Sequence, residues 1–423
     1  MQTRYNIAMP IVLDPHEPAI VRGIKTVGVG KKGSKPLTAQ LAREIVEDLK
    51  AGKVAPVAQG AFWAGLLAKG LQPQEEMLSE AFAPGVLKDA RQLVGVIAAD
   101  APEFVRWVCV QLLSGHTLDQ QTAYDLGKFL FSNEAGDGAR GLVASLLRVR
   151  YETDEEYEGL LQAIGETLVP AFTNPAPPGA AMVQLAEPFD GVDHSYMITP
   201  LIGQYLQTLG YRAVHMVGKN SGPKLEMNLW DIAQALGEKA AAGNGDLANP
   251  APRMGWFFHQ SLMSVALDRW VDLRRATVKR PFLSTLERFI NPLKADILVA
   301  SAFHPPYGEK MLTIAERAGF PGVIIVRNGI EGTMAFPLLR PVKMLLSAKG
   351  KDGQYRRHEM ILDMVGGVEA EERIDKPQAV DNARLIESYL KRASSGNKHF
   401  DLRVKATCEG LKLAMEWVSG RWA

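Results

Sequence analysis

Apolar positions follow two regimes along the chain. Up to residue 172 they recur at helical spacing, as in LTAQLAREIVEDL from Leu37, where Leu41, Ile45 and Leu49 share one helix face. Beyond Ala180 they gather into short runs: MVQLA from Met182, RAVHMV from Arg212, DILVAS from Asp296, GVIIV from Gly322 and KMLLSA from Lys343. Runs of this length, rich in β-branched residues, predict strands buried on both faces. Helical spacing returns between them, at Leu201–Leu209, Asn228–Leu236 and Gly308–Ala318. Strands alternating with helices predict an α/β domain with a mostly parallel central sheet and ligands at the strand ends.

The two regimes meet at FTNPAPPGA, Phe172 to Ala180, where three prolines and a glycine disfavour both helix and ladder. The predicted organisation is a lead-in over 1–36, an all-helical domain over 37–172, a proline-rich linker over 173–181 and a larger α/β domain over 182–423. Segments 37–83 and 118–164 read as two copies of one helical unit. Leu41, Ile45 and Leu49 are matched in spacing by Thr122, Leu126 and Leu130, and LLAKGLQPQEE from Leu66 is matched by LLRVRYETDEE from Leu146. Each copy carries an acidic pair early in a helix, Glu75-Glu76 and Glu155-Glu156, which reads as structural carboxylates at a helix N-terminus.

Composition narrows the function classes. With 423 residues, 47% of them hydrophobic, the chain has ample material for a core. Forty-eight basic residues stand against forty-seven acidic ones, so any basic surface comes from local clustering. Cys109 and Cys408 are expected as two core thiols in a reducing compartment, which excludes a disulfide framework and a cysteine-rich zinc site. The N-terminus lacks a signal-like apolar run and no segment reaches the roughly 18 apolar residues of a membrane span, so a soluble cytoplasmic protein is expected.

The densest chemistry lies in RRATVKRPFLSTLERFINP, Arg274 to Pro292. Arg274, Arg275, Lys279 and Arg280 precede an apolar helix pattern that stops at Asn291-Pro292. The arginine fork fits carboxylate and phosphate alike, while the competing reading pairs these residues with acids such as Asp272 and Glu287. In EPFDGVDHSYMIT, the Asp190-Gly191 turn ahead of Thr199 could offer backbone N–H groups to a phosphate. In MVGKNS, Gly218, Lys219 and Asn220 make either an anion or ribose contact or a plain strand-to-helix turn. The motif Gly28-x-Gly30-x-x-Gly33 has the wrong context for a dinucleotide fingerprint, because Pro36 follows and the first helix is predicted near Thr38. Its neighbours Lys25, Lys31, Lys32 and Lys35 could meet phosphates or simply form a solvated lead-in. His304 reads as structural, and no zinc-protease, nucleophile-elbow or Cys–His pattern is present.

The Arg274–Pro292 stretch resembles the R-R-x-x-x-x-R-T-x-F-N-x-L-x-P-L-x-N-P signature of anthranilate phosphoribosyltransferases, with Arg274, Arg275, Arg280, Phe282, Asn291 and Pro292 in register. The loops follow in the same order. Ala186–Gly191 stands in place of the G-T-G-G-D-G pyrophosphate loop, Met216–Ser221 in place of K-H-G-N-R-S, and Val326–Ala335 in place of V-x-G-x-x-G-x-D-E. The resemblance implies the glycosyltransferase family 3 fold, with a helical domain that mediates a homodimer, an α/β domain and a ligand cleft between them. It further implies a phosphorylated sugar or nucleotide-like partner, with Arg274, Arg275 and Arg280 handling anions. A divergent branch that includes DNA-binding homologues shares the G-x-G-K lead-in and Thr199-Pro200-Leu201.

Three departures shape the expectation. Pro188 and Phe189 stand where two glycines belong, and Met334 and Ala335 where adjacent carboxylates help hold magnesium. Glu331 is the one nearby carboxylate, either a substitute ligand or an exposed turn residue. The expected protein is phosphoribosyltransferase-like, binds a phosphorylated sugar or other anion, and is not an ordinary anthranilate phosphoribosyltransferase. The alternative is a non-catalytic, non-specific nucleic-acid-binding homodimer using Lys31, Lys32, Lys35 and Lys279. No catalytic residue and no metal ligand is assigned.

Overall fold

A computed structural model describes residues 13–28, 33–222, 224–302 and 305–420. Gly30, Lys31, Lys32 and His304 therefore lie outside the described residues. The chain divides into two interleaved compact units: a helical one of residues up to Leu118, Ser132–Thr153 and Leu273–Phe282, and an α/β one of Asp119–Phe131, Asp154–Asp272 and the residues from Leu283 onward.

The α/β unit is built on seven strands: β1 Met182–Ala186, β2 Arg212–Val217, β3 Trp256–His259, β4 Ile297–Ser301, β5 Gly322–Val326, β6 Val342–Lys349 and β7 Tyr355–Leu362. Their order across the sheet is β3-β2-β1-β4-β5-β6-β7. β1 to β5 run parallel, and β6 and β7 add an antiparallel hairpin at one edge. Every residue of β1, β4 and β5 is buried, as runs this rich in apolar residues require, and the exceptions Gln184 and Ser301 are hydrogen-bonded. The chain leaves β1 in one direction to form β2 and β3, then returns to place β4 on the other side of β1. That reversal is a topological switch point, and the crevice outside the carboxyl ends of β1 and β4 is where such sheets receive ligands.

All five strand runs and all three helices read between them are present, as Thr199–Thr208, Leu229–Ala235 and Pro305–Arg317 in the case of the helices. The region up to Thr173 contains helices and no strand among its described residues. Beyond the unpredicted β3 and β7, the lead-in holds a helix, Ala19–Val27, so the first helix does not wait for Thr38. Ile20, Ile24 and Val27 recur along one face of it and are buried. Gly28 ends that helix, its N–H donating to the Ile24 carbonyl at 2.9 Å, which is not the strand-to-helix setting of a dinucleotide loop.

Within the helical unit, helices Pro56–Lys69 and Asp137–Arg150 cross at backbone contact. A Cβ on Gly60 would stand 2.0 Å from the Gly138 carbonyl oxygen, and one on Gly141 would stand 1.9 Å from that of Val57. These are the second helices of the two similar segments. The first helices, Ala39–Lys50 and Gln120–Leu130, are capped alike: Thr38 accepts from the Leu41 N–H and Asp119 from the Thr122 N–H. Glu75 is a structural carboxylate, accepting from the backbone of Leu37 and Gln72 at 2.8 Å each and from Lys69 at 2.7 Å. Both cysteines are buried thiols, pushed up to about 12 by burial, Cys408 with a further contribution from Glu409.

Candidate functional site

The crevice of the α/β unit is made by three loops. One follows β1 (Glu187–Ile198), one follows β2 (Gly218–Asn228) and one follows β5 (Gly329–Ala335). The first two are joined at Asn228, whose Nδ2 donates to the carbonyls of Phe189 and Gly218 at 3.0 Å each. Val192 adds a backbone bond to the Met227 carbonyl at 2.9 Å. Gly191 adopts φ +83°, and a Cβ there would stand 2.3 Å from the Glu226 carbonyl, so both conformation and space require glycine.

The Phe189 ring fills the space that the loops leave. It is buried, and a Cβ on Gly218 would meet it at 2.7 Å. The pocket bounded by Glu187, Phe189, Gly218, Asn228 and Trp230 consequently has a solvent volume of about 0 Å³. The loop that the resemblance assigns to pyrophosphate thus puts its own phenyl ring against the backbone of the neighbouring loop.

The third loop supplies a charge. Glu331 neither lies exposed nor stands ready as a metal ligand. Its Oε2 accepts from the Asp193 N–H at 2.8 Å and Lys224 Nζ at 3.1 Å, and its Oε1 accepts from the His194 N–H and Ser195 Oγ at 2.8 Å each. Burial pushes the Glu331 carboxyl up, but the Asp193 amide, the Lys224 charge and the Ser195 hydroxyl outweigh it and hold the group below the usual carboxylate range. Met334 is buried and directs its backbone N–H to Glu187, and Ala335 offers only a methyl. This donor set does not fit magnesium, which wants oxygen ligands with open positions.

Beneath the loops lies a buried polar group that the sequence reading passed over. Glu187 is 1% exposed; its Oε1 accepts from Thr199 Oγ1 at 2.7 Å and from the Met334 N–H at 3.0 Å. Burial pushes its carboxyl up to about 7, against the lowering by those donors and by the Arg288 charge. A carboxyl titrating there has the pKa of a general acid or base, yet its burial keeps it from reacting atoms. Arg288 is itself buried, donating from Nη1 to the Ser301 carbonyl at 3.1 Å. Gln184 on β1 holds the same segment through the Arg288 and Ile290 carbonyls, at 3.2 and 2.9 Å.

The structure thus brings Asp190, Gly191, Thr199, Gly218 and Asn220 to one set of loops. Asp190 and Thr199 are buried, and Asn220 donates to the Glu226 carbonyl. Lys219, after β2, reaches Asp268 at 2.6 Å. The Arg274–Pro292 stretch is divided: residues to Phe282 belong to the helical unit and those from Leu283 to the α/β unit. Arg274 and Arg275 lie in the last turn of helix Val265–Thr277. Val278 then takes φ +60°, a left-handed conformation costly for a β-branched residue.

Past that break, Lys279 turns toward the lead-in. Its Nζ donates to the Lys25 carbonyl at 3.3 Å, and its Cε would lie 3.3 Å from a Cβ on Gly28. Burial and the Lys25 charge push the Lys279 ammonium down to about 8. Lys279, Arg280 and Arg148 line a small cavity of about 10 Å³, room for one water. Lys35 is exposed at the end of the same lead-in. Among the described residues no group of three His, Cys, Asp or Glu side chains is placed to hold a metal, and no helix is long and apolar enough to cross a membrane.

No protein-family model matches the chain. An uncharacterized protein of Aquifex aeolicus is 25% identical over 236 residues, 56% of this chain and 69% of its own. Among solved structures, anthranilate phosphoribosyltransferase of Thermus thermophilus is similar with a TM-score of 0.56 at 17% identity, over 75% of this chain and 90% of that one. The Saccharomyces cerevisiae enzyme, solved in complex with PRPP and Mg, is similar with a TM-score of 0.56 at 12% identity, over 76% of this chain and 94% of that one. With its switch-point sheet and loop order, the chain has the anthranilate phosphoribosyltransferase fold.

Proposed function

We propose that the chain is a phosphoribosyltransferase-like protein that binds a phosphorylated sugar or a related phosphate-bearing anion through Arg274, Arg275, Lys279 and Arg280. Ordinary anthranilate phosphoribosyl transfer is not its activity. The observation that carries this reading is the closed crevice: the Phe189 ring stands against Gly218, and the Asp193 and His194 amides are spent on Glu331. Lys279, Arg280 and Arg148 line one small cavity, and a phosphate beside Lys279 would return its ammonium toward its ordinary, fully protonated range.

Thermal stability measured with phosphoribosyl pyrophosphate and magnesium tests this reading. The expected result is a rise of several degrees that Arg280→Ala abolishes. Turnover of anthranilate, or an affinity that Arg280→Ala leaves unchanged, would sink it.

A second reading, non-specific nucleic-acid binding by a homodimer, is favoured by one observation. Lys279 meets the lysine-bearing lead-in at Gly28 and Lys25, so the two basic segments share one unit. Binding of DNA would then weaken steeply with added salt, with a log–log slope of about −0.9 per phosphate neutralised. Affinity for DNA that is flat between two salt concentrations would exclude it.

A further inference from the structure

The four donors around Glu331 form a coherent set. Two consecutive amides, Asp193 and His194, the next residue's hydroxyl at Ser195 and the Lys224 ammonium all converge on one carboxylate, at 2.8 to 3.1 Å. Successive N–H groups aimed at one point make an anion-binding concavity, and a lysine supplies the matching charge. More cationic and polar groups stand at its rim: His194 contacts the Ile374 carbonyl through Nδ1 and Arg373 through Nε2, at 3.2 and 2.9 Å. An opposing charge, the Asp193 carboxylate, stands 3.5 Å from Lys224.

The occupant is delivered by an unusual backbone. Glu331 takes φ +51° and Gly332 φ +80°, so two consecutive residues adopt the left-handed conformation to bring the carboxylate in. A glutamate in that conformation is held by what its side chain binds, because its own backbone preference opposes it.

We propose that the 193–195 turn and Lys224 form an oxyanion site whose resident occupant is the chain's own Glu331 carboxylate, and that an external phosphate binds there in exchange for it. A phosphate group offers more acceptor oxygens than a carboxylate and a second negative charge, which Lys224 and the nearby Arg373 favour. In the wild-type chain the tethered carboxylate competes at high effective concentration, so phosphate enters only as the Gly329–Ala335 turn gives way. The site is separate from the Arg274–Arg280 group and stands independently of the role proposed for it.

Isothermal titration of the full chain tests the exchange, with inorganic phosphate and ribose 5-phosphate as separate probes. Glu331→Ala is expected to bind inorganic phosphate at least about tenfold more tightly than wild type, and adding Lys224→Ala is expected to remove the gain. A parallel gain for ribose 5-phosphate assigns the site to phosphate monoesters, and a gain for inorganic phosphate alone assigns it to the free anion. A folded Glu331→Ala that gains nothing, or a gain that survives Lys224→Ala, overturns the proposal. If Glu331→Ala does not fold, Glu331→Gln serves, with the Asp193 and His194 amide resonances as the readout; resonances unmoved by phosphate overturn it equally. Arg280→Ala leaves the gain in place, which separates this site from the anion group of the helical unit.

Discussion

At the crevice of the α/β unit, backbone donors, a lysine and an apolar ring are all satisfied by neighbours from other loops. Glu331 takes the Asp193 and His194 amides, and Phe189 takes the space beside Gly218. The basic corner of the helical unit gathers cations instead. Lys279 is partly buried beside another lysine, its ammonium pushed down to about 8, and it lines a cavity with Arg148 and Arg280. In one region a carboxylate of the chain itself occupies the donors; in the other a desolvated ammonium, Lys279, is held beside a second lysine that Glu17 pairs. A shared fold leaves both arrangements open, so function has to be argued loop by loop.

The largest test of that contrast is Phe189→Ala. If the ring is the filler of the crevice, its removal leaves a cavity between the loops and costs about 3–5 kcal/mol, read by urea denaturation. A loss well under 1 kcal/mol would mean that the loops collapse without it and that the closure is not its work.

Glu331→Gln comes next, with an expected loss of roughly 2–3 kcal/mol at neutral pH, since it removes the charge from four donors in a mostly buried setting. The sign with pH follows from the lowered pKa. The carboxylate's contribution is complete above the unfolded value of about 4.3 and is lost as pH falls through the lower folded value. Wild type and Glu331→Gln should therefore converge in stability under acid conditions. A difference that persists unchanged at the lowest pH where both stay folded would show that charge is not what holds the turn.

The architecture was legible because β1, β2, β4, β5 and most of β6 are apolar runs buried on both faces, and periodicity marks such runs clearly. β3 escaped because it has four residues, WFFH, wedged between Gly255 and a short helix. β7 escaped for the opposite reason: Arg356, Arg357, His358 and Glu359 are exposed on an edge strand, where charge guards a free edge and erases the apolar pattern. At the site, Phe189 and Glu331 stood out as departures from a motif, but their roles depend on long-range contacts. Glu331 meets a loop 136 to 138 positions away, and no local spacing encodes that. Glu187, Asn228 and Arg288 carried no signal of their role between the loops, since a lone polar residue becomes informative there only once its burial is known.

Lys279→Met sharpens the other side of the comparison, with the smallest expected effect and an unusual sign. A lysine whose folded pKa is about 8 against about 10.4 unfolded is destabilising while protonated, so the fold gains stability as pH rises through that window. Methionine keeps the length of the stem and removes the charge. It should stabilise the chain at pH 7 by on the order of 1 kcal/mol, after allowance for the part of the shift that partial exposure screens and for the lost bond to the Lys25 carbonyl. The wild type should become more stable between about pH 8 and 10 while Lys279→Met does not, a difference that denaturant midpoints at three pH values would resolve. The same substitution should weaken binding of a phosphate-bearing ligand. Stability and affinity moving in opposite directions is the signature of a charge kept for a ligand; a substitution that lowers both would make Lys279 a structural residue and leave the corner without a function of its own.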